Sequence, residues 1–393
     1  GISWQMLCTL WSTPGFGMTE PARSVRNRIL SLAFPGLPQI LDGRWGVGSM
    51  ALLIWCGHLW IAAASFELIP GAMRGAWDDK FAVLTLVGGL VGMWLWSWFD
   101  VSRTRVARVV GVSQWDLALR AFSRNRTAVV GLIMLVLLYL VAILTPLITP
   151  LDPLAQAENL VDGRFLGMSE AHLLGTDEYG RDVFTRLLYG ARISLTIGLL
   201  AMGIAVTIGT LVGSVAGYLG GYVDAVVMRF VDMVISFPRL ILLLTIVAVF
   251  RPSFSLIVVV LGLTLWPATA RIVRGEVLSL REREFVQAAQ ALGYSKRRII
   301  LKHLIPNALA PVIVAATLGV GNTIVLEAGL SFLGVGLPSS TPSWGNMVAD
   351  GQEVMLNAWW IATFPGLAIV FTVLSFNLVG DGLRDALDPR LRS

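Results

Sequence analysis

The chain has 393 residues, of which 55% are hydrophobic and only 14% charged, and its mean hydropathy is +0.73. A soluble domain carries about 25% charged residues. Apolar runs long enough to cross ~30 Å of hydrocarbon recur along this one, which excludes a soluble globular protein. The net charge of +5, from 30 Lys and Arg against 25 Asp and Glu, clusters beside those runs, the positive-inside pattern of a membrane protein rather than a nucleic-acid-binding surface.

Residues 1–17 begin with Gly1 and resemble no signal peptide, having neither a charged start nor a small-residue cleavage site. Met18, followed by TEPARSVRNR, is one reading of the natural start; residues 1–17 as native chain is the other. The tail 1–28 is expected in the cytoplasm. The apolar piece 29–41 holds Pro35 and Pro38 and predicts an interfacial or re-entrant segment rather than a span. Two spans are then predicted near 47–66 and 81–99, separated by an acidic-leaning stretch. His58 and Glu67, in this 29–100 module, are read as a packing residue and a membrane edge. Segment 101–126 is a basic linker carrying Arg103, Arg105, Arg108, Arg120, Arg124 and Arg126, and reads as cytoplasmic.

Six further spans are predicted near 128–149, 192–217, 225–250, 254–273, 308–335 and 358–379. The loop 150–190 is acidic, 336–357 carries Asp350 and Glu353 with no basic residue, and 271–302 holds eight basic residues, Arg271 through Lys302. The first two loops are therefore predicted outside and the third inside, which places both termini inside, as an even number of spans requires. The fold class expected is an all-α integral membrane protein, with six spans preceded by a two-span module.

Within the basic side lies REREFVQAAQALGYSKRRIILKHLIPNALAP, residues 281–311. Good helix formers at 282–292, Gly293 as a stop, Ser295 as a cap and Ile299, Ile300 and Leu304 on one face predict helix, tight turn, helix. Such a knob suits docking into a partner's groove; amphipathic helices lying on the membrane are the plainer alternative. Scattered His58, His172 and His303 suggest no metal site, and Cys8 and Cys56 stand in no ligand spacing.

The stretch resembles the EAA loop of ABC-importer permeases. Gln287-Ala288-Ala289, Gly293 and His303-Leu304-Ile305-Pro306 fall at its spacing, with Gln287, His303 and Ile305 departing from its Glu, Ile and Leu. HLLGTDEYGRDVFTRLLYGARISL at 172–195, EAGLSFLGVGLPSSTPSWGNM at 327–347 and VGDGLRDALDPRLR at 379–392 resemble dipeptide/oligopeptide permeases of that class. The likeness covers roughly 115–393, with the permease domain placed at 127–393, and leaves the N-terminal module without a counterpart.

The resemblance implies a non-enzymatic subunit of the bacterial inner membrane. It implies a second permease, two P-loop ATPases that bind ATP and Mg, and an extracytoplasmic substrate-binding protein as partners. The chain holds no G-x-x-x-x-G-K-[ST] of its own, and no cofactor or nucleic acid is expected. Glu284, Gln287, Ala288, Ala289, Gly293, Arg297 and Pro306 would couple it to the ATPases.

Glu327, Asn322, Arg229 and Asp232 are candidates for the translocation path. For Glu327 a structural hydrogen bond to a neighbouring helix competes with that role; for Arg229 and Asp232, three apart and able to pair, snorkelling to the interface is the simpler reading. Asp177, Glu178, Arg181 and Trp344 are candidates to face the binding protein, with a solvated loop as the alternative. Gly198, Gly203, Gly209, Gly213 and Gly217 suggest close helix packing. An ion-driven carrier would need a mid-membrane ion site and broken helices in both halves, and a membrane enzyme a nucleophile–base pair. For the first, Glu327 is the only deep carboxylate on offer.

Overall fold

The computed structural model describes residues 30–31, 34–41, 45–64, 77–103, 114–157, 159–250 and 252–388. Glu67, Arg105, Arg108, Cys8 and the predicted start at Met18 lie outside them. The chain divides into two compact units, residues 1–66 with 84–113, and residues 67–83 with 114–393.

The first unit contains α1 (Leu37–Leu41), α2 (Trp45–Ala64) and most of α3 (Trp77–Arg103). Within the segment 29–41, the helix α1 has five residues, too few to span. Helices α2 and α3 fall on the two predicted N-terminal spans, with apolar stretches at Ile54–Ala63 and Ala82–Met93. His58 is buried, and its Nδ1–H donates to the Ile54 carbonyl at 2.8 Å. Its ring fills the space over Gly89, so the packing role read for it holds.

After the first turns of α3, the second unit continues with α4 (Gln114–Arg124), a helix outside the apolar spans, and α5 (Arg126–Ile148). Asn125 separates them and caps α5 by accepting the Ala128 N–H at 3.2 Å. After the short α6 (Leu160–Gly163) come α7 (Val183–Leu219), α8 (Gly221–Ser236), α9 (Arg239–Val249) and α10 (Phe254–Arg281). Then follow α11 (Glu284–Ala291), α12 (Lys296–Ile299), a π-turn at Ile300–Leu304, α13 (Ile305–Phe332), α14 (Trp344–Glu353) and α15 (Trp360–Leu387). Among the described residues five helices are long and apolar enough to cross a membrane, and α8 with α9 makes a sixth if counted as one broken span.

Two expected boundaries are corrected. Helix α7 starts at Val183, nine residues earlier than 192, because the Asp182 side chain accepts the Thr185 N–H at 2.8 Å and caps it there. The span expected as continuous over 225–250 is broken, and its halves bend by 83°. Pro238 is the cause: it disfavours helix at the preceding residue, and Phe237 is extended, with φ −77° and ψ 132°.

Helices α7 and α10 form the tightest seam. A Cβ on Gly209 would lie 2.6 Å from the Thr269 Cβ and 2.8 Å from the Trp266 carbonyl oxygen, so only glycine admits this approach. Gly198, Gly213 and Gly217 also face neighbouring helices; Gly203 faces open space, correcting the packing role expected of it. Phe230 stacks on Trp266 at 6.1 Å and Arg274 holds the Asp224 carboxylate through two bonds of 2.5 Å, together fastening α8 to α10.

Candidate functional site

At the basic end of the bundle, α10 stops at Arg281 and the chain turns through α11 and α12 back into α13. The end of α11 is fixed by its sequence. Gly293 takes φ +75°, its N–H bonds the Gln290 carbonyl at 2.9 Å, and the Tyr294 N–H bonds the Ala289 carbonyl at 3.1 Å. This is a Schellman stop, which needs a residue free to enter the left-handed region. Ser295 then caps α12 by accepting the Arg298 N–H. The π-turn ends two residues before Pro306, whose ring supplies no N–H to continue the regular ladder. Val286 and Ala289 are buried against Val273, Val277, Leu280, Ile299, Ile300 and Leu304, so the helix–turn–helix is pinned to the bundle.

Its outer face carries Glu284, Gln287, Ala288, Gly293 and Arg297, all exposed. Ala289 is corrected: spaced three residues from Val286, it shares that residue's inward face and is only 4% exposed. Pro306 is exposed, but at the start of α13, at the base of the knob rather than its tip. Sequence reasoning missed Phe285 and Leu292, the latter 72% exposed. Apolar side chains beside the glycine stop were the available signal.

At the opposite end, residues 149–182 fold over the start of α7 and beside α14. Asp177 is 1% exposed. Its Oδ1 accepts the N–H groups of Tyr179 and Arg181, both at 2.9 Å, while Oδ2 accepts Arg181 Nε at 2.7 Å and also Arg186 Nη1. Asp350 of α14 lies 3.4 Å from Arg186 Nη2 and 3.7 Å from Arg181 Nη2. Two arginines and two aspartates thus form a buried, charge-balanced cluster. Burial pushes the Asp350 carboxyl above the usual carboxylate range, against the pull of Arg186 and Arg181.

The expected partner-facing set is corrected here. Asp177 and Arg181 point into the protein because each supplies the other's counter-charge, and Trp344, 1% exposed, donates its indole N–H to the Leu187 carbonyl at 3.0 Å. Glu178 alone of the four keeps partial exposure, beside Tyr179. Arg186 and Asp350 were missed. Arg186 falls in the loop expected before the 192–217 span, and its partner Asp350 lies 164 residues away, so their pairing is not legible in the sequence.

Glu327 of α13 is 1% exposed, and its carboxylate accepts the hydroxyls of Ser331 at 3.0 Å, Ser343 at 3.2 Å and Ser194 at 3.5 Å. Ser194 belongs to α7 and also accepts the Trp344 N–H at 3.2 Å. Glu327 therefore ties α13, α7 and the start of α14, the hydrogen-bonded arrangement weighed from sequence. Glu327→Leu is expected to leave these hydroxyls without an acceptor and to cost about 1–3 kcal/mol, whereas Glu327→Gln keeps an oxygen there and costs under about 1; thermal unfolding in detergent measures the difference.

Asn322 is exposed on α13. Arg229 and Asp232 are exposed on α8, and Asp232 pairs with Arg271 of α10 at 2.7 Å rather than with Arg229. Packing α8 along α10 brings Arg271 closer than the neighbour on its own helix.

The bundle is that of a multi-pass membrane protein, with five to six helices long and apolar enough to cross among the described residues. Residues 209–393 match the family of binding-protein-dependent transport system inner membrane components, and 113–164 match the N-terminal membrane domain of oligopeptide transport permease C. The dipeptide transport system permease protein DppC of Alkalihalophilus pseudofirmus is 43% identical over 282 residues, covering 72% of this chain and 92% of that protein. DppC of Escherichia coli is 47% identical over 277 residues, 69% of this chain and 91% of that one. The oligopeptide transport system permease protein OppC of Bacillus subtilis is 41% identical over 281 residues, 72% and 91% respectively. A solved chain of the MetNI methionine ABC transporter, inward facing, superposes with a TM-score of 0.45 at 21% identity, covering 56% of this chain and all of that one. The chain belongs to the family of binding-protein-dependent transport system inner membrane components: it is a permease subunit of an ABC importer, a transport protein and not itself an enzyme.

Proposed function

We propose that this permease carries dipeptides, oligopeptides or similar small solutes inward, pairing with a second permease and driven by two P-loop ATPases that bind ATP and Mg. The observation that carries the peptide reading is the identity of 41–47% to permeases named for dipeptide and oligopeptide transport, over more than nine-tenths of their length. In this reading the knob at 284–297 enters a groove on one of the two ATPases. Glu284, Gln287, Ala288, Gly293 and Arg297 make that contact together with Phe285 and Leu292, and Val286 and Ala289 transmit its motion to α10 and α13. The 149–182 loop and α14 lie outside, where Glu178 and Tyr179 meet a substrate-binding protein. Both termini lie inside, and α2 and α3 add two spans to the six of the second unit.

Protein solubilised from its native membrane is expected to carry down a second permease and two P-loop ATPases. A chain recovered alone, and active alone in liposomes under an ion gradient, overturns this reading in favour of a self-sufficient carrier.

A further inference from the structure

The short turn between α14 and α15 holds apolar side chains outward. The Val354 carbonyl accepts the N–H groups of Asn357 and Ala358, both at 2.9 Å. Ala358 is buried with Val183, Met347 and Ile361, and Val354 packs against that cluster. The base of the turn is thus fixed to the bundle, and its tip is left in the open. Leu356 is fully exposed, and Met355 and the following Trp359 are half exposed. Water is a poor surrounding for an apolar tip on so fixed a base.

The level of the turn follows from the span beside it. Helix α15 carries no charge from Trp360 to Gly380, and at its other end come Asp381, Arg384 and Asp385, all exposed. At 1.5 Å per residue the charge-free length is about 30 Å, one hydrocarbon thickness. With Asp381 kept out of the hydrocarbon at one end, Trp359 and Trp360 fall at its boundary at the other, where aromatic side chains concentrate.

The flank of the turn is marked as well. Leu367, Val370, Phe371 and Leu374 are exposed at helical spacing on α15, and Trp359 tops the same stripe. The Trp359 ring packs against those of Trp360 and Phe364, at 6.2 and 6.0 Å between centroids. The exposed charges Arg229, Asp232 and Arg271 stand elsewhere, on α8 and α10. Helix α8 packs on α7 and α10, whereas α15 packs chiefly on α5, α13 and α14. Exposed charges on the helices of a bundle mark a partner, a path or a membrane edge, and an unbroken apolar stripe marks lipid.

We infer that the Met355–Leu356 tip is a lipid wedge, which enters the headgroup–acyl boundary of the membrane beside α15 with Trp359 as its aromatic belt. Glu353 and Asn357, polar and exposed on either side of the tip, stay in the headgroup layer. Helix α14 is tied to α7 through Trp344 and Asp350, so the wedge sets the level of that end of the bundle against the bilayer surface. The inference goes beyond the import reading and holds for any solute carried.

The test uses the purified complex in phosphatidylcholine nanodiscs, with Cys8→Ala and Cys56→Ala in this chain and cysteine-free partner subunits. Leu356→Cys is labelled with a nitrobenzoxadiazole fluorophore. Its emission is expected to be quenched by a lipid carrying a nitroxide near the headgroup end of its acyl chain. Soluble iodide is expected to quench it about threefold less than a label at Glu170→Cys, exposed in the loop 149–182. Met355→Cys gives an independent reading where Leu356→Cys fails to assemble. Strong iodide quenching without lipid quenching overturns the wedge, since the tip is then in water. Shielding from both quenchers overturns it too, because a protein partner then covers the tip.

Discussion

Gly293→Trp is expected to abolish ATP-driven uptake, by about 100-fold or more, and to strip the ATPase subunits from the purified complex. The residue holds φ +75° at the tip of the knob, and nothing lies within 4 Å of where its Cβ would stand. An L side chain there costs about 1–2 kcal/mol of backbone strain, small beside the stability of a whole bundle. The indole would project outward, into the space that the proposed docking gives to the ATPase groove. Gly293→Ala isolates the strain from the bulk and is expected to lose less than about tenfold. Leu292→Ala, at a side chain 72% exposed, should weaken ATPase retention by about 1–2 kcal/mol through lost apolar contact. Uptake and co-purification measured together decide the matter: Gly293→Trp with both at wild-type level would move the docking surface away from this loop.

Asp177→Ala is expected to destabilise the opposite end by about 3–5 kcal/mol, because it leaves two buried guanidinium groups to share one carboxylate. Arg186 is 1% exposed and Arg181 6%, and the remaining Asp350 lies at 3.4 Å from one and 3.7 Å from the other. Asp350→Asn is expected to cost less, about 1 kcal/mol, since burial already holds its ionised form at a disadvantage. The pair Asp177→Leu with Arg186→Met removes one charge of each sign. It is expected to recover at least half of the loss, because apolar groups of similar volume replace a buried ion pair at little cost. Thermal unfolding in detergent reads the global effect, and protease cleavage within 150–182 reads the local one. Equal stability of Asp177→Ala and wild type would mean that this cluster is solvated in the working protein.

Much of the molecule was legible because its information is local. A span must satisfy its backbone within one continuous stretch, so apolar length alone located α5, α7, α10, α13 and α15. The knob was legible for the same reason: Gly293 and Ser295 act on backbone groups within five residues of themselves. Even the break at Pro238 leaves a local trace, although the 83° angle depends on what α8 and α9 pack against.

Side-chain partnerships were not legible in the same way. From the sequence, Asp177, Arg181 and Trp344 are candidates to face a partner or to lie in a solvated loop, and Asp232 is able to pair with Arg229 or to snorkel with it to the interface. Their true partners come from other segments: Asp350 for Arg186, Leu187 for Trp344, Arg271 for Asp232, Ser194 and Ser343 for Glu327. Ala289 shows the limit on a smaller scale, since the motif named the residue and only the packing against Val277 and Leu304 chose its face. The sequence by itself determined the membrane class, the five long apolar helices of the second unit and the helix–turn–helix at its basic end, because hydropathy and backbone hydrogen bonding act along the chain. The buried ionic cluster and the serine-bound carboxylate were decided only by the tertiary structure, because each joins groups that become neighbours only when separate helix faces meet.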